Sequence, residues 1–183
     1  MNPVLIETLR DAQRFGFFGR RPIDEAISHA MEFVRAAGQL GPGARIVDIG
    51  SGGGLPGLVL AHEYPESSIL LIDRRQKRTD FLELSVLRLG WSHVTVRHDD
   101  VKSLVGEVGR HEIERFDLVT ARGFGPPDVT LRFAAALRAN SGRIVISEPP
   151  TGDRWSPDLL DELALVRSAV GATAVFTSSC HAG

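Results

Sequence analysis

A chain of 183 residues with 43% hydrophobic content can form one globular domain with a real core, and a formal charge of −2 excludes an overall electrostatic pull toward nucleic acid. The single cysteine, Cys180, excludes a disulfide framework or a cysteine metal site and fits a reducing compartment. No run reaches the ~20 apolar residues of a membrane span, and Met1-Asn2-Pro3-Val4 does not begin like a signal peptide, so a cytoplasmic protein with no membrane partner is expected.

The first forty residues read as two helices, the second starting at Pro22, turning Ile23, Ile27, Met31 and Val34 inward and stopping at Gly38. Between them, Phe15-Gly16-Phe17-Phe18-Gly19 is the one aromatic cluster, read as a hydrophobic plug that docks the helices on the sheet in preference to a lid over a cleft. Residues 1–40 are therefore expected to be a helical extension packed on a core domain of residues 41–183.

The core opens with Ile46-Val47-Asp48-Ile49, the β-branched run of a buried parallel strand, leading into Gly50-Ser51-Gly52-Gly53-Gly54. Gly50, Gly52 and Gly54 permit positive φ and leave no Cβ between the loop and a ligand. Pro56 in Leu55-Pro56-Gly57 suits a first helical position, so the loop is expected to end at a helix whose amide groups point outward. Residues 68–73 form a second buried strand ending at Asp73, and residues 75–89 a helix with Phe81, Leu82, Val86 and Leu89 on one face. Residues 94–96 form a third strand, followed by Asp99-Asp100. Residues 116–121 and 142–147 are the fourth and fifth strands, with a helix near 129–139 between them. A helix with Leu159, Leu163, Val166 and Val170 on one stripe precedes a last strand at 172–177. The alternation predicts an α/β fold, a Rossmann-like, doubly wound, mostly parallel sheet with N-terminal helices.

Three nucleotide-type ligands compete for the loop. Gly52-Gly53-Gly54-Leu55-Pro56-Gly57 satisfies the dinucleotide pattern, which overlapping glycine registers meet easily. A Walker loop is excluded because no Gly-Lys-Ser/Thr follows. S-adenosylmethionine carries no phosphate but has an ammonium and a sulfonium, which Asp48 at a strand tip could serve. Asp73 is placed to accept both ribose hydroxyls, and Asp99 and Asp100 to meet an adenine amino group. Three strand ends bearing carboxylates suit an adenosyl ligand better than one with two phosphates. The alternatives lack their chemistry: Tyr64 is the only tyrosine and begins no Tyr-x-x-x-Lys, and no Gly-x-Ser-x-Gly elbow occurs. The six histidines show no metal-ligand spacing, so no metal is expected.

Residues 47–57 closely resemble the D-x-G-[ST]-G-x-G-L-P-G signature of the small-subunit rRNA guanine-N7 methyltransferases, the RsmG or GidB family. Leu71-Ile72-Asp73 with Lys77-Arg78 and Phe81-Leu82 looks like the family's L-D-x-x-x-K-R-x-x-F-L, and Ala121-Arg122-Gly123-Phe124 like its S-R-A-[FV]. The resemblance covers residues 45–148 and implies a class I, S-adenosylmethionine-dependent methyltransferase acting on guanine N7 of small-subunit rRNA, with the 30S subunit as partner. It places Gly50, Leu55, the Asp100-Val101 turn and Arg122 around the cofactor. The expected cofactor-binding set is thus Asp48, Gly50, Ser51, Gly52, Gly54, Leu55, Asp73, Arg74, Asp99, Asp100, Val101 and Arg122, with Arg122 also the candidate catalytic residue.

Arg122 could reach the methionyl carboxylate or the substrate, the alternative being a salt bridge to Asp128 or Glu148. Arg74, Arg75, Lys77 and Arg78 read as a solvated basic helix face, with phosphate docking as the second reading. Where the family has an arginine after strand three and a lysine after strand five, this chain has Asp99-Asp100 and Ser147-Glu148. Glu148-Pro149-Pro150 also looks like the acidic Pro-Pro motif of amino-methylating DNA enzymes, but follows strand five and is discounted. Two alternatives therefore stand beside the rRNA reading: a methyltransferase acting on a small molecule, and a non-catalytic adenosyl-binding regulatory module.

Overall fold

The computed structural model describes residues 1–19, 21–149 and 154–179; Pro150, Cys180 and His181 lie outside the described residues. The strands are β1 (Arg45–Ile49), β2 (Ser68–Asp73), β3 (Val94–His98), β4 (Phe116–Ala121), β5 (Arg138–Ser147), β6 (Leu165–Val170) and β7 (Thr173–Ser178). The helices are α1 (Pro3–Arg14), α2 (Ile23–Ala37), α3 (Gly57–Glu63), α4 (Gln76–Leu89), α5 (Val101–Gly109), α6 (Pro127–Leu137) and α7 (Pro157–Glu162). One sheet runs in the order β3-β2-β1-β4-β5-β7-β6. The first five strands are parallel, and β7 inserts antiparallel between β5 and β6.

Strand alternation sorts the core into two layers. Ile46, Ile69, Leu71, Leu118 and Val145 face α1 to α4 with Leu5, Leu9, Phe33, Leu58 and Leu82. Val47, Ile49, Ile72, Val119 and Ile144 face α5 to α7 with Leu104, Leu131, Leu137 and Leu159. Ile46, Val47 and Ile49 are fully buried, each contributing about 1.5–3 kcal/mol of transfer free energy. Phe33 is likewise fully buried, so α1 and α2 share the core with the sheet rather than resting on its edge. Tyr64 donates to the Gly38 carbonyl at 2.7 Å, and the Arg143 guanidinium donates to the Ala37 carbonyl. The last carbonyls of α2 thereby gain partners that its own helix cannot supply.

The differences from the expected elements have local causes. Val166 and Val170 lie on β6, not on a helix: α7 ends at Glu162, and Ala164 takes φ 51, which breaks the helix before the stripe can continue. Helix α5 was not anticipated; Asp100 caps it by accepting from the Lys102 amide at 2.9 Å. Strand β5 begins at Arg138 rather than at residue 142, with a register shift opposite Phe116 and Leu118, and α6 ends correspondingly earlier. Pro56 caps α3 from outside instead of occupying its first position, and its peptide bond with Leu55 is cis.

Candidate functional site

The glycine loop turns on its own hydrogen bonds. The Gly50 and Ser51 amides donate to the Ile72 carbonyl, the Ser51 hydroxyl to the Asp48 carbonyl at 2.7 Å, and the Gly52 amide to Asp73 Oδ2 at 3.0 Å. Gly50, Gly52 and Gly54 take φ of 71, 57 and 94, as the turn requires. The bare α-carbons serve packing more than ligand access. A Cβ on Gly53 would fall 2.8 Å from Phe18 Cδ1 and 2.9 Å from Phe17 Cβ, and one on Gly54 2.4 Å from Leu58 Cδ1. Phe17 and Phe18 thus press on the loop. Phe17 stacks edge-on to Phe81 at 5.4 Å, while Phe15 remains exposed. The helix amide that follows the loop points inward: Gly57 donates to Asp48 Oδ2 at 3.2 Å.

Period-two alternation and the register Asp48↔Thr120 place Asp48, Thr120 and then Arg122 on the face covered by α2 and α3. Asp48 is buried, accepting from the Thr120 hydroxyl at 2.8 Å as well as from Gly57. Loss of hydration lifts its pKa from 3.8 to about 7, with the Thr120, Ser51 and Gly57 hydrogen bonds and the nearby Arg122 opposing the shift. A folded-state value above the unfolded one means that the native state holds the extra proton between the two. Stability should therefore fall with rising pH, by up to about 1.4 kcal/mol per pH unit, from near pH 4 until about pH 7. Urea unfolding of Asp48→Asn across that range should show this slope flattened; an unchanged slope would place the titration elsewhere.

Two cavities open at the carboxyl ends of the parallel strands, where an open α/β sheet binds ligands. The first, about 380 Å³, lies between the tips of β1, β2 and β3 and the segment after β4. Gly50, Asp73, Arg74, Asp99, Asp100 and Val101 line it, together with Phe124 and Phe133. Its size falls within the range of small-molecule sites. Asp73 Oδ1 accepts from the Arg75 amide at 2.9 Å, and its other oxygen lies 3.6 Å from Arg78, so Arg78 is an ion-pair partner rather than part of a solvated face. Asp99 is held by Arg97 at 2.6 Å, which lowers its pKa. Ser51, Gly52, Gly54 and Leu55 are buried behind this wall and Asp48 beneath it. Of the twelve residues expected at the cofactor, the structure brings six to the first cavity, keeps five behind it, and assigns Arg122 to the second.

That second cavity, about 440 Å³, is walled by Phe18, Glu25 and His29 on one side and by Arg122, Ile146 and Glu148 on the other. Phe124 lines both cavities; its ring edge lies against Gly50, where a Cβ would fall 2.7 Å from Cδ2, and it meets Phe133 edge-on at 6.1 Å. Arg122 has ion-paired with neither Asp128 nor Glu148. Its Nη1 is buried and has no hydrogen-bond partner among the described residues. Burial lowers its pKa, an effect countered in part by Asp48. Burial also lowers the pKa of His29, with Arg122 adding to the shift. Glu148 accepts from Trp155 Nε1 and lies 3.7 Å from Arg154. The spacing of Glu25 and His29, one turn apart on α2, was the available signal for this wall, but nothing local tied α2 to β4. Among the described residues no three His, Cys, Asp or Glu side chains gather to hold a metal ion, and no helix is long and apolar enough to cross a membrane.

The model of the family described as rRNA small subunit methyltransferase G matches residues 8–148. The chain is 31% identical over 173 residues to ribosomal RNA small subunit methyltransferase G of Mycolicibacterium smegmatis, covering 92% of this chain and 68% of that protein. It is 32% identical over 117 residues to the protein of the same name from Chromobacterium violaceum, covering 64% of this chain and 53% of that one. The chain spans about half the length of several curated relatives it matches. Among solved structures it resembles MtNAS in complex with MTA and tNA, with a TM-score of 0.64 and 18% identity over 97% of this chain and 70% of that one, a likeness of fold.

Proposed function

The chain belongs to the family of rRNA small subunit methyltransferase G, or GidB, and from that premise we propose that it transfers a methyl group from S-adenosylmethionine to N7 of a guanine in small-subunit rRNA. The observation that carries the reading is the pairing of two cavities across Phe124: one with carboxylates at its strand tips, the other with Arg122, whose buried Nη1 has no hydrogen-bond partner among the described residues. The residues of the first cavity suit an adenosyl ligand. Asp73, which lines the cavity, has acceptor capacity beyond its two backbone donors for ribose hydroxyls, Asp99 and Asp100 suit an exocyclic amine, and Val101, Phe124 and Phe133 offer apolar walls to a base.

When bound, the sulfonium supplies an electrophilic methyl group. Guanine N7 has a free lone pair, so the chain has no proton to remove and its contribution is positioning and electrostatics. Arg122 is assigned to the boundary, where it can meet the methionyl carboxylate or the incoming base. The second cavity is the acceptor side, closed by α2 and by Phe18. A small-molecule acceptor is the second reading, favoured by the confined second cavity and by Glu148 standing where the family pattern has a lysine.

The test is transfer of labelled methyl to unmethylated 30S subunits, followed by nucleoside analysis. Label in N7-methylguanosine is the expected result. Label in small acceptors only would move the function to the second reading, and cofactor binding with no transfer to any acceptor would leave a binding module.

A further inference from the structure

Among the described residues, many surface cations have carboxylate partners. Arg110 pairs with Glu112 at 2.6 Å, Arg88 with Asp11 at 3.2 Å and Arg45 with Glu114 at 2.8 Å, while Arg14 has two acids. Arg115, Arg138 and Arg143 donate to backbone carbonyls instead. Among the described residues, the cationic side chains with neither kind of partner include Arg21, Arg74, Arg75, Lys77, Lys102 and Arg122. They are not scattered. Arg74, Arg75 and Lys102 line the first cavity, Arg21 and Arg122 the second, and Lys77 lies on the first turn of α4 beside Arg75.

Their placement runs against helix electrostatics. A helix N-terminus carries partial positive charge, favours acids in its first turn, and disfavours cations by about 0.3–1 kcal/mol each. Helices α2, α6 and α7 follow the rule, with Asp24 and Glu25, Asp128 and Asp158 in their first turns. Helices α4 and α5, which start at the first cavity, have no acid in the first turn and carry Lys77 and Lys102 there. Helix α4 also lacks a side-chain cap. The acids nearby are already engaged: Asp73 with loop amides and Arg78, Asp99 with Arg97, and Asp100 as the cap of α5.

We infer that the unpaired cations at the starts of α4 and α5, continued by Arg21 across the second cavity, form a docking face for the phosphodiester backbone of RNA. Two helix N-termini and a row of unpaired cations need several anions rather than one, and their spread across both cavity mouths fits a polymer carrying a phosphate at each nucleotide. The cation missing after β3, where Asp99-Asp100 stands, is thereby supplied from the neighbouring tip of β2, as the pairing Asp73↔His98 sets the two ends side by side. The inference rests on the rRNA reading.

The test is equilibrium binding of a labelled small-subunit rRNA fragment to the full chain between about 50 and 200 mM salt. Removing two cations in Arg75→Ala/Lys77→Ala should reduce the slope of log K against log salt by about 2, or about 1 for each phosphate contact. Lys77→Glu alone, an exposed change that folding should tolerate, should weaken binding in the same direction. Arg110→Ala and Arg132→Ala, which remove paired cations that line neither cavity, should leave the slope as it was. An unchanged slope in the double variant, with methyl label still reaching rRNA, would overturn the docking face alone. Absence of RNA affinity in the unmodified protein would overturn both the docking face and the rRNA reading.

Discussion

Replacing Asp73 with alanine should weaken binding of S-adenosylmethionine at least tenfold, about 1.4 kcal/mol, and lower stability at the same time. Two groups would lose their acceptor, the Gly52 amide at 3.0 Å and the Arg75 amide at 2.9 Å, and Arg78 would lose its ion-pair partner. A buried amide left unpaired costs about 1–3 kcal/mol. The loop that shapes the first cavity would relax, and the carboxylate assigned to the ribose would be gone. Asp73→Asn separates the two effects. Its amide oxygen can keep one of the backbone bonds, but its NH2 faces the second backbone donor and removes the charge that strengthens a ribose contact. Calorimetric titration should therefore show Asn between wild type and Ala in affinity. Equal affinities in all three proteins would remove Asp73 from the cofactor site.

Gly57→Ala should destabilise the fold by about 1–3 kcal/mol through overpacking, shifting Tm down by about 2–4 °C per kcal/mol for a chain of this size. The added carbon would fall 2.4 Å from Leu71 Cδ2 and 2.7 Å from Asp48 Oδ2, inside the seam where α3 meets β1 and β2. Leu71 can rotate only into a filled core. Asp48 is held by Thr120 and by the Gly57 amide itself. Relief requires α3 to move outward, carrying with it the loop that donates to Asp73, so cofactor affinity should fall together with Tm. Gly41→Ala is the matched control: nothing lies within 4 Å of the added carbon and its φ is not positive. It should be neutral or slightly stabilising. A Gly57→Ala protein as stable as Gly41→Ala would show that α3 packs less tightly than this arrangement requires.

The parallel half of the sheet was legible because strands buried on both faces appear as continuous apolar runs, as in Ile46-Val47 and Ile69-Leu70-Leu71-Ile72. The carboxylates at the ends of β2 and β3 could be brought together in advance, since adjacent parallel strands end at the same edge. The C-terminal third was harder to read. Leu159, Leu163, Val166 and Val170 satisfy a helical stripe, and only the turn at Ala164 shows that the last two belong to a strand. Helix α5 was hidden because its interior carries Gly106 and ends at Gly109, and because Asp100 reads equally as ligand and as cap. At the site, the inward role of Asp48 and the covering of Gly53 by Phe17 and Phe18 depend on contacts between segments distant in sequence, which local pattern does not encode. The second cavity is not legible for the same reason: its walls come from α2, the segment after β4, and β5.

Titration of S-adenosylmethionine, its demethylated product and NADH into the same protein asks directly whether the first cavity is built for a sulfonium nucleoside. Micromolar binding of the first two, with NADH weaker by about tenfold or more, is the predicted result. NADH binding as tightly as S-adenosylmethionine, or more tightly, would contradict it whatever the outcome with RNA.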